Sequence, residues 1–193
     1  MSSIDGLSGM HTDLPFAKPF NFSRWIEDNR HLLKPPVGNK QLFVGTDMIA
    51  MVVGGPNSRV DFHDDPAEEF FHQIKGDMLL KIADRGKIHD VPIREGEVFM
   101  LPAHVRHSPQ RPIAGSVGLV VEGRRRPGDK DGFEWFCFGC GALVHRVQID
   151  LKDIVKDLPP LFDAFYANEQ ARTCPACGTI HPGKVPPAGW ATV

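Results

Sequence analysis

Between Gln41 and Val121 the apolar residues come only in short runs: Leu42–Val44, Met48–Val53, Phe70–Ile74, Met78–Ile82, Val98–Leu101 and Val117–Val121. Gly, Pro, Asp and Asn separate them. The longest run, Met48–Val53, is far short of the roughly 18–20 residues a membrane-spanning helix needs. Short strands with frequent turns predict an antiparallel β-sandwich or barrel. Asp84-Arg85-Gly86-Lys87 is the expected hairpin turn. A chain of 193 residues that is 41% hydrophobic can bury one core around such strands. The net charge of −2 argues against a global nucleic-acid or membrane footprint. The first thirteen residues contain no Lys or Arg and no long apolar stretch, so a cytoplasmic protein is expected.

The flanks read differently. Ser23 is placed to cap a short helix carrying Trp25, Ile26, Asn29 and Leu32–Leu33, which Lys34-Pro35-Pro36-Val37-Gly38 ends. Leu151, Ile154, Val155 and Leu158 lie at helical spacing, and Leu161, Phe162, Phe165 and Tyr166 do so again after Pro159-Pro160. The expected organisation is an N-terminal arm over 1–20, a catalytic β-domain over 21–125, a C-terminal extension over 126–183 and a flexible tail over 184–193.

Four cysteines fall in two pairs, Cys137-x-x-Cys140 and Cys174-x-x-Cys177, each followed by Gly. Each turn aims two sulfurs at a common centre, so the pairs predict one structural four-thiolate metal site. The glycines are expected to let backbone N–H groups point at sulfur. Disulfides fit poorly without an export signal. Zinc and a rubredoxin-like iron both suit four thiolates.

A second metal-type constellation lies in the β-region. The spacings Gly55-x5-Asp61-x-His63-x5-Glu69-x6-Gly76 and Gly96-x5-Pro102-x-His104-x2-His107 are similar to the two signature motifs of the cupin superfamily, a double-stranded β-helix or jelly roll. Asp61 stands where the first motif usually has a His, and His104 where the second usually has a Gly. His63, Glu69 and His107 then remain as ligands. Two His and one carboxylate form the facial triad of non-haem Fe(II) oxygenases, which leaves positions open for substrate and dioxygen. Neighbours on a strand face opposite sides, so only one of Glu68 and Glu69 can point inward. The six residues before Gly76 favour Glu69.

Longer strings resemble one family. They are Pro35-Pro36-Val37-Gly38-Asn39, Val52-Val53-Gly54-Gly55-Pro56-Asn57, His63-Asp64-Asp65-Pro66 with Glu68-Glu69-Phe70-Phe71, and His104 through Pro112. Asp131-Gly132-Phe133-Glu134-Trp135, Leu158-Pro159-Pro160-Leu161-Phe162 and both cysteine pairs belong with them. Together they resemble the 3-hydroxyanthranilate 3,4-dioxygenase family in its bacterial, four-cysteine form.

That resemblance implies a cupin jelly roll with a C-terminal helical extension. It implies Fe(II)- and O2-dependent extradiol opening of 3-hydroxyanthranilate to 2-amino-3-carboxymuconate semialdehyde. This product closes to quinolinate, an NAD precursor in the kynurenine pathway. It also implies a homodimer, His63, Glu69 and His107 on the catalytic iron, and Arg59, Arg111 and Glu122 around substrate and oxygen. The chemistry of these side chains agrees. A guanidinium fork suits a planar carboxylate. Arg59, four residues before His63, shares its face if the segment is extended. Glu122, at the end of an apolar strand, can accept from the substrate amine. Two rival readings are a different metal-dependent cupin enzyme and a non-catalytic binding protein. Only Arg124-Arg125-Arg126 favours the latter, and three such residues before a Pro usually form a solvated loop.

Overall fold

The computed structural model describes residues 18–34, 38–152 and 154–193. Most of the expected N-terminal arm and the Pro35–Val37 stop signal lie outside them. The chain divides into two units, Met1–His31 and Leu32–Val193. In the first, helix α1 spans Phe22–Asp28. Its cap is Asn21, not Ser23: the Asn21 side chain accepts the Arg24 N–H at 2.9 Å. Ser23 falls inside the first turn, two residues past the cap position. A 3-10 turn, Arg30–Leu32, follows.

The second unit carries eleven strands: β1 Asn39–Gln41, β2 Ile49–Gly54, β3 Phe62–Asp64, β4 Glu69–Lys75, β5 Met78–Asp84, β6 Lys87–Ile93, β7 Val98–Leu101, β8 Arg106–Gln110, β9 Val117–Glu122, β10 Asp131–Phe136 and β11 Leu143–Ile149. They form two sheets, ordered β1-β2-β9-β4-β7 and β11-β10-β3-β8-β5-β6, with every neighbouring pair antiparallel. Phe71, Leu101 and Val120 of the first sheet pack with Met78, Leu80 and Ile93 of the second to make the core. The strand pattern predicts an antiparallel sandwich or barrel, and this is the cupin-type jelly roll that the motif spacings and the resemblance imply. Asp84 pairs with Lys87 across the expected hairpin, with Arg85 and Gly86 at φ 46° and 75°. Positive φ at both central residues makes this the primed turn that matches strand twist.

The C-terminal extension shares the same sheets. Strand β10 pairs with β3, so Asp131–Phe136 completes the barrel wall across the expected boundary at 125/126. The two stretches of helical spacing form one helix, α2 Ile154–Ala167, which runs through Pro159 and Pro160. An interior proline costs about 3 kcal/mol. Burial offsets that cost: Leu158, Leu161, Phe162 and Phe165 pack on Phe133 and Trp135, and the Phe165 and Trp135 rings stack at 4.2 Å. A short helix α3, Glu169–Arg172, leads to the second cysteine pair. Where a flexible tail is expected, the indole N–H of Trp190 donates to the Arg59 carbonyl at 2.9 Å and Lys81 Nζ lies 4.2 Å over its ring. Among the described residues, no helix is long and apolar enough to cross a membrane.

Candidate active site

Three strands bring the site together. His63 on β3 and His107 on β8 are register partners. Glu69 opens β4 in the opposite sheet and lies beside Glu122, the last residue of β9. Alternation along β4 buries Glu69, Phe71 and Gln73 and leaves Glu68 exposed. Ligand atoms of His63, Glu69 and His107 lie within 4.8 Å of one another, which suits a single metal ion. His107 Nε2 is 2.8 Å and His63 Nδ1 is 3.7 Å from the same oxygen, Glu69 Oε1.

Each imidazole is oriented through its other nitrogen. His107 Nδ1 meets the Val105 carbonyl at 2.9 Å, and His63 Nε2 meets Asp131 Oδ1 at 2.8 Å. Donating there leaves the inward nitrogen with its lone pair, the arrangement common behind metal-bound histidine. The Phe133 ring stacks on His63 at 4.9 Å. Burial alone would raise the Glu69 carboxyl, but the adjacent His107 overrides it and holds Glu69 down at about 2. His107 is raised in return: burial opposes the shift, and Glu69 wins.

A cavity of about 130 Å³ opens beside this triad, and Arg59, Arg111, Glu122, Phe71, Val120 and Asn39 are among its lining. Arg59 reaches it from an irregular segment before β3, not from a strand. Its Nε and Nη2 are taken by Asp61, which is 1% exposed. Arg111 is also 1% exposed, but among the described residues its only side-chain bond is from Nη1 to Gln73 Oε1. Its Nε has no partner, and among the described residues no carboxylate pairs with it. Burial lowers this guanidinium to about 10. The space it occupies depends on Gly118, where a Cβ would meet Arg111 Nη1 at 2.6 Å and Gln73 Oε1 at 2.7 Å.

Sequence reasoning missed the charge network behind the site. Arg125, expected in a solvated loop, is an anchor: it donates to Glu122 at 2.7 Å, Asp65 at 2.9 Å and Asp131 at 2.8 Å. Its neighbours Arg124 and Arg126 are exposed, so the run hides one structural residue between two solvated ones. Burial pushes Asp65 up to about 8 even beside Arg125. Burial, reinforced by Glu69, also raises Glu122. Asp131 offered one signal, its place at the head of a string quoted for the family.

The four cysteines converge at the other end of β10. All four sulfurs lie within 4.8 Å of one another, with Cys137 to Cys177 at 3.6 Å and Cys140 to Cys174 at 3.7 Å. A tetrahedron with metal–sulfur bonds of about 2.3 Å has edges of about 3.8 Å, whereas a disulfide is about 2.05 Å. The spacing therefore fits a four-thiolate metal. Gly141 and Gly178 adopt φ 75° and 76° and donate to the Cys137 and Cys174 carbonyls, while the N–H reaching the Cys137 sulfur is that of Gly139.

Known proteins resemble this chain over most of its length. The sequence profile of the 3-hydroxyanthranilic acid dioxygenase family matches residues 15–166. A 3-hydroxyanthranilate 3,4-dioxygenase of Shewanella woodyi is 65% identical over 174 residues, 90% of this chain and 92% of that one. One from Ruegeria pomeroyi is 64% identical over 171 residues, 89% of this chain and 95% of that one. Among solved structures, an RmlC-like cupin from Shewanella frigidimarina is 14% identical over 46% of this chain and 76% of its own, with a TM-score of 0.37.

Proposed function

The chain belongs to the 3-hydroxyanthranilic acid dioxygenase family, and from that premise we propose that it opens the ring of 3-hydroxyanthranilate with O2 beside His63, Glu69 and His107. The product is 2-amino-3-carboxymuconate semialdehyde, the quinolinate precursor of the kynurenine pathway. The observation that carries the residue assignment is Arg111: a buried cation with no counter-anion among the described residues, beside a cavity that also exposes a two-histidine, one-carboxylate triad. The substrate is an anion whose amine lies between its carboxylate and its phenol on three consecutive ring carbons.

The donor set fits Fe(II), which would be held by His63, Glu69 and His107 and would supply one-electron chemistry and a meeting point for substrate and dioxygen. Arg111 takes the substrate carboxylate. Arg59, with Nε and Nη2 held by Asp61, offers Nη1 as a second donor. Glu122 accepts from the amine. Its raised affinity for protons makes it the candidate to take a proton from substrate and return it to product. Arg125 fixes the direction of that carboxylate, and Asp131 fixes His63. Phe71, Val120 and Phe133 exclude water from the reacting face.

The four-cysteine site has no open position once filled by four thiolates, so we read it as structural, holding iron or zinc. Four reduced thiols at this spacing suit a reducing compartment, and we place the enzyme in the cytoplasm. Val98 and Met100, 60% and 56% exposed on edge strand β7, support the reading of a homodimer.

Oxygen uptake by Fe(II)-loaded protein tests the reaction. Stoichiometric O2 use with a semialdehyde that converts to quinolinate is expected, and no uptake by iron-loaded protein overturns it. A metal count on His63→Ala tests the two centres: one metal is lost and the thiolate-bound one stays. Loss of both refutes separate sites.

A further inference from the structure

Arg59 lies outside any strand, in the stretch between the Asn57–Arg111 bridge and β3. Its backbone is held by side chains from distant parts of the chain. The Arg59 N–H donates to Gln110 Oε1 at 3.1 Å, and Gln110 Nε2 donates back to the Arg59 carbonyl at 3.0 Å. The same carbonyl accepts a second bond from the Trp190 indole N–H at 2.9 Å. The Trp190 ring is itself pinned on several sides. Lys81 Nζ stands 4.2 Å over it, Phe62 meets it edge-on at 6.3 Å, and Phe138 meets it edge-on at 4.9 Å. Phe138 is the residue that follows Cys137 inside the first cysteine turn.

We propose that Trp190 is a positioning residue for Arg59, and that through Phe138 it ties this arginine to the four-cysteine turn. The inference rests on the reading of Arg59 as a donor to the substrate carboxylate. A tryptophan suits the task because its rigid ring fills an apolar seat while its N–H reaches a fixed acceptor. The bond fixes where the Arg59 Cα stands, and Asp61 then fixes where the guanidinium points. Losing the bond frees the segment and weakens the grip on the carboxylate without touching the reacting atoms. The four-cysteine centre thus contributes to substrate affinity from a distance.

The test compares two substrates, 3-hydroxyanthranilate and 2-aminophenol, which keeps the phenol and amine but lacks the carboxylate. In iron-loaded Trp190→Phe the ring packing remains and the N–H is gone. KM for 3-hydroxyanthranilate is expected to rise about fivefold, the size of one lost hydrogen bond. Its kcat stays within about twofold, and 2-aminophenol kinetics do not change. Trp190→His, which restores a ring N–H, brings KM back toward the parent value. Phe138→Leu raises KM in the same selective way, by less. Arg59→Ala is measured alongside. If Arg59→Ala raises KM and Trp190→Phe does not, the positioning role is wrong while the Arg59 reading stands. If neither raises it, the Arg59 reading fails and the inference with it. An equal effect on both substrates marks a general loosening and also overturns it.

Discussion

At the scale of single residues, the site is a problem of placing charge in a small dry space. Gly118 shows how little room there is, because a methyl group there lands on the Arg111 guanidinium. Gly118→Ala is expected to cut kcat/KM for 3-hydroxyanthranilate by about a hundredfold, as displacements of about 1 Å do, with a small change in melting temperature. Unchanged kinetics would mean that Arg111 does not hold the carboxylate where we place it. His63, Glu69 and His107 were legible because their spacing from fixed glycines encodes the register of two hairpins. Strand alternation said that only one of Glu68 and Glu69 could face inward, and the six residues before Gly76 picked Glu69. Arg125 and Gln73 were not legible, and Asp131 was marked only by its place in a family string, since their partners lie across the fold. Nothing local distinguishes Arg125 from its two exposed neighbours.

At the scale of elements, five of the six apolar runs are strands because turn residues bound them; Leu42–Val44 is not, since β1 ends at Gln41, and β3, β8, β10 and β11 had no such run to mark them. Helix α2 survives two prolines because aromatic packing outweighs the lost hydrogen bonds, a sum taken over residues remote from Pro159. The cysteine turns lie at the end of this packing. Cys137→Ser is expected to lower melting temperature and soluble yield before it removes chemistry. Abolished activity at unchanged yield and melting temperature would contradict that. His181 gives the same region a pH dependence. It sits between Phe138 and Phe165 at 4.9 and 5.5 Å, and burial lowers its ring from 6.5 to about 4. The unfolded ring takes a proton near 6.5, whereas the folded ring does so only near 4. This contribution to stability is therefore complete above pH 6.5 and is lost as pH falls from 6.5 to 4. It amounts to at most about 3 kcal/mol, less whatever solvent screens. His181→Gln should flatten the melting temperature across that window, and an unaltered slope would show the ring protonates freely in the fold.

At the scale of the whole molecule, the two sheets of the jelly roll meet at the side chains to which we assign the chemistry. His63 and His107 belong to the six-stranded sheet, and Glu69 to the five-stranded one. An ion held by all three is a clasp between the sheets as well as a reagent. Its binding free energy adds to folding, by about 4 kcal/mol when free metal exceeds the dissociation constant a thousandfold. A chelator specific for Fe(II) should lower the melting temperature in proportion, and should speed hydrogen exchange in β3, β4 and β8 ahead of β6. Exchange that stays uniform would mean the sheets hold together without the ion. The clasp makes supply of metal a form of quality control. A chain made without its metal would be inactive and also less durable, so its abundance would follow the supply of that metal before any regulator acted on it.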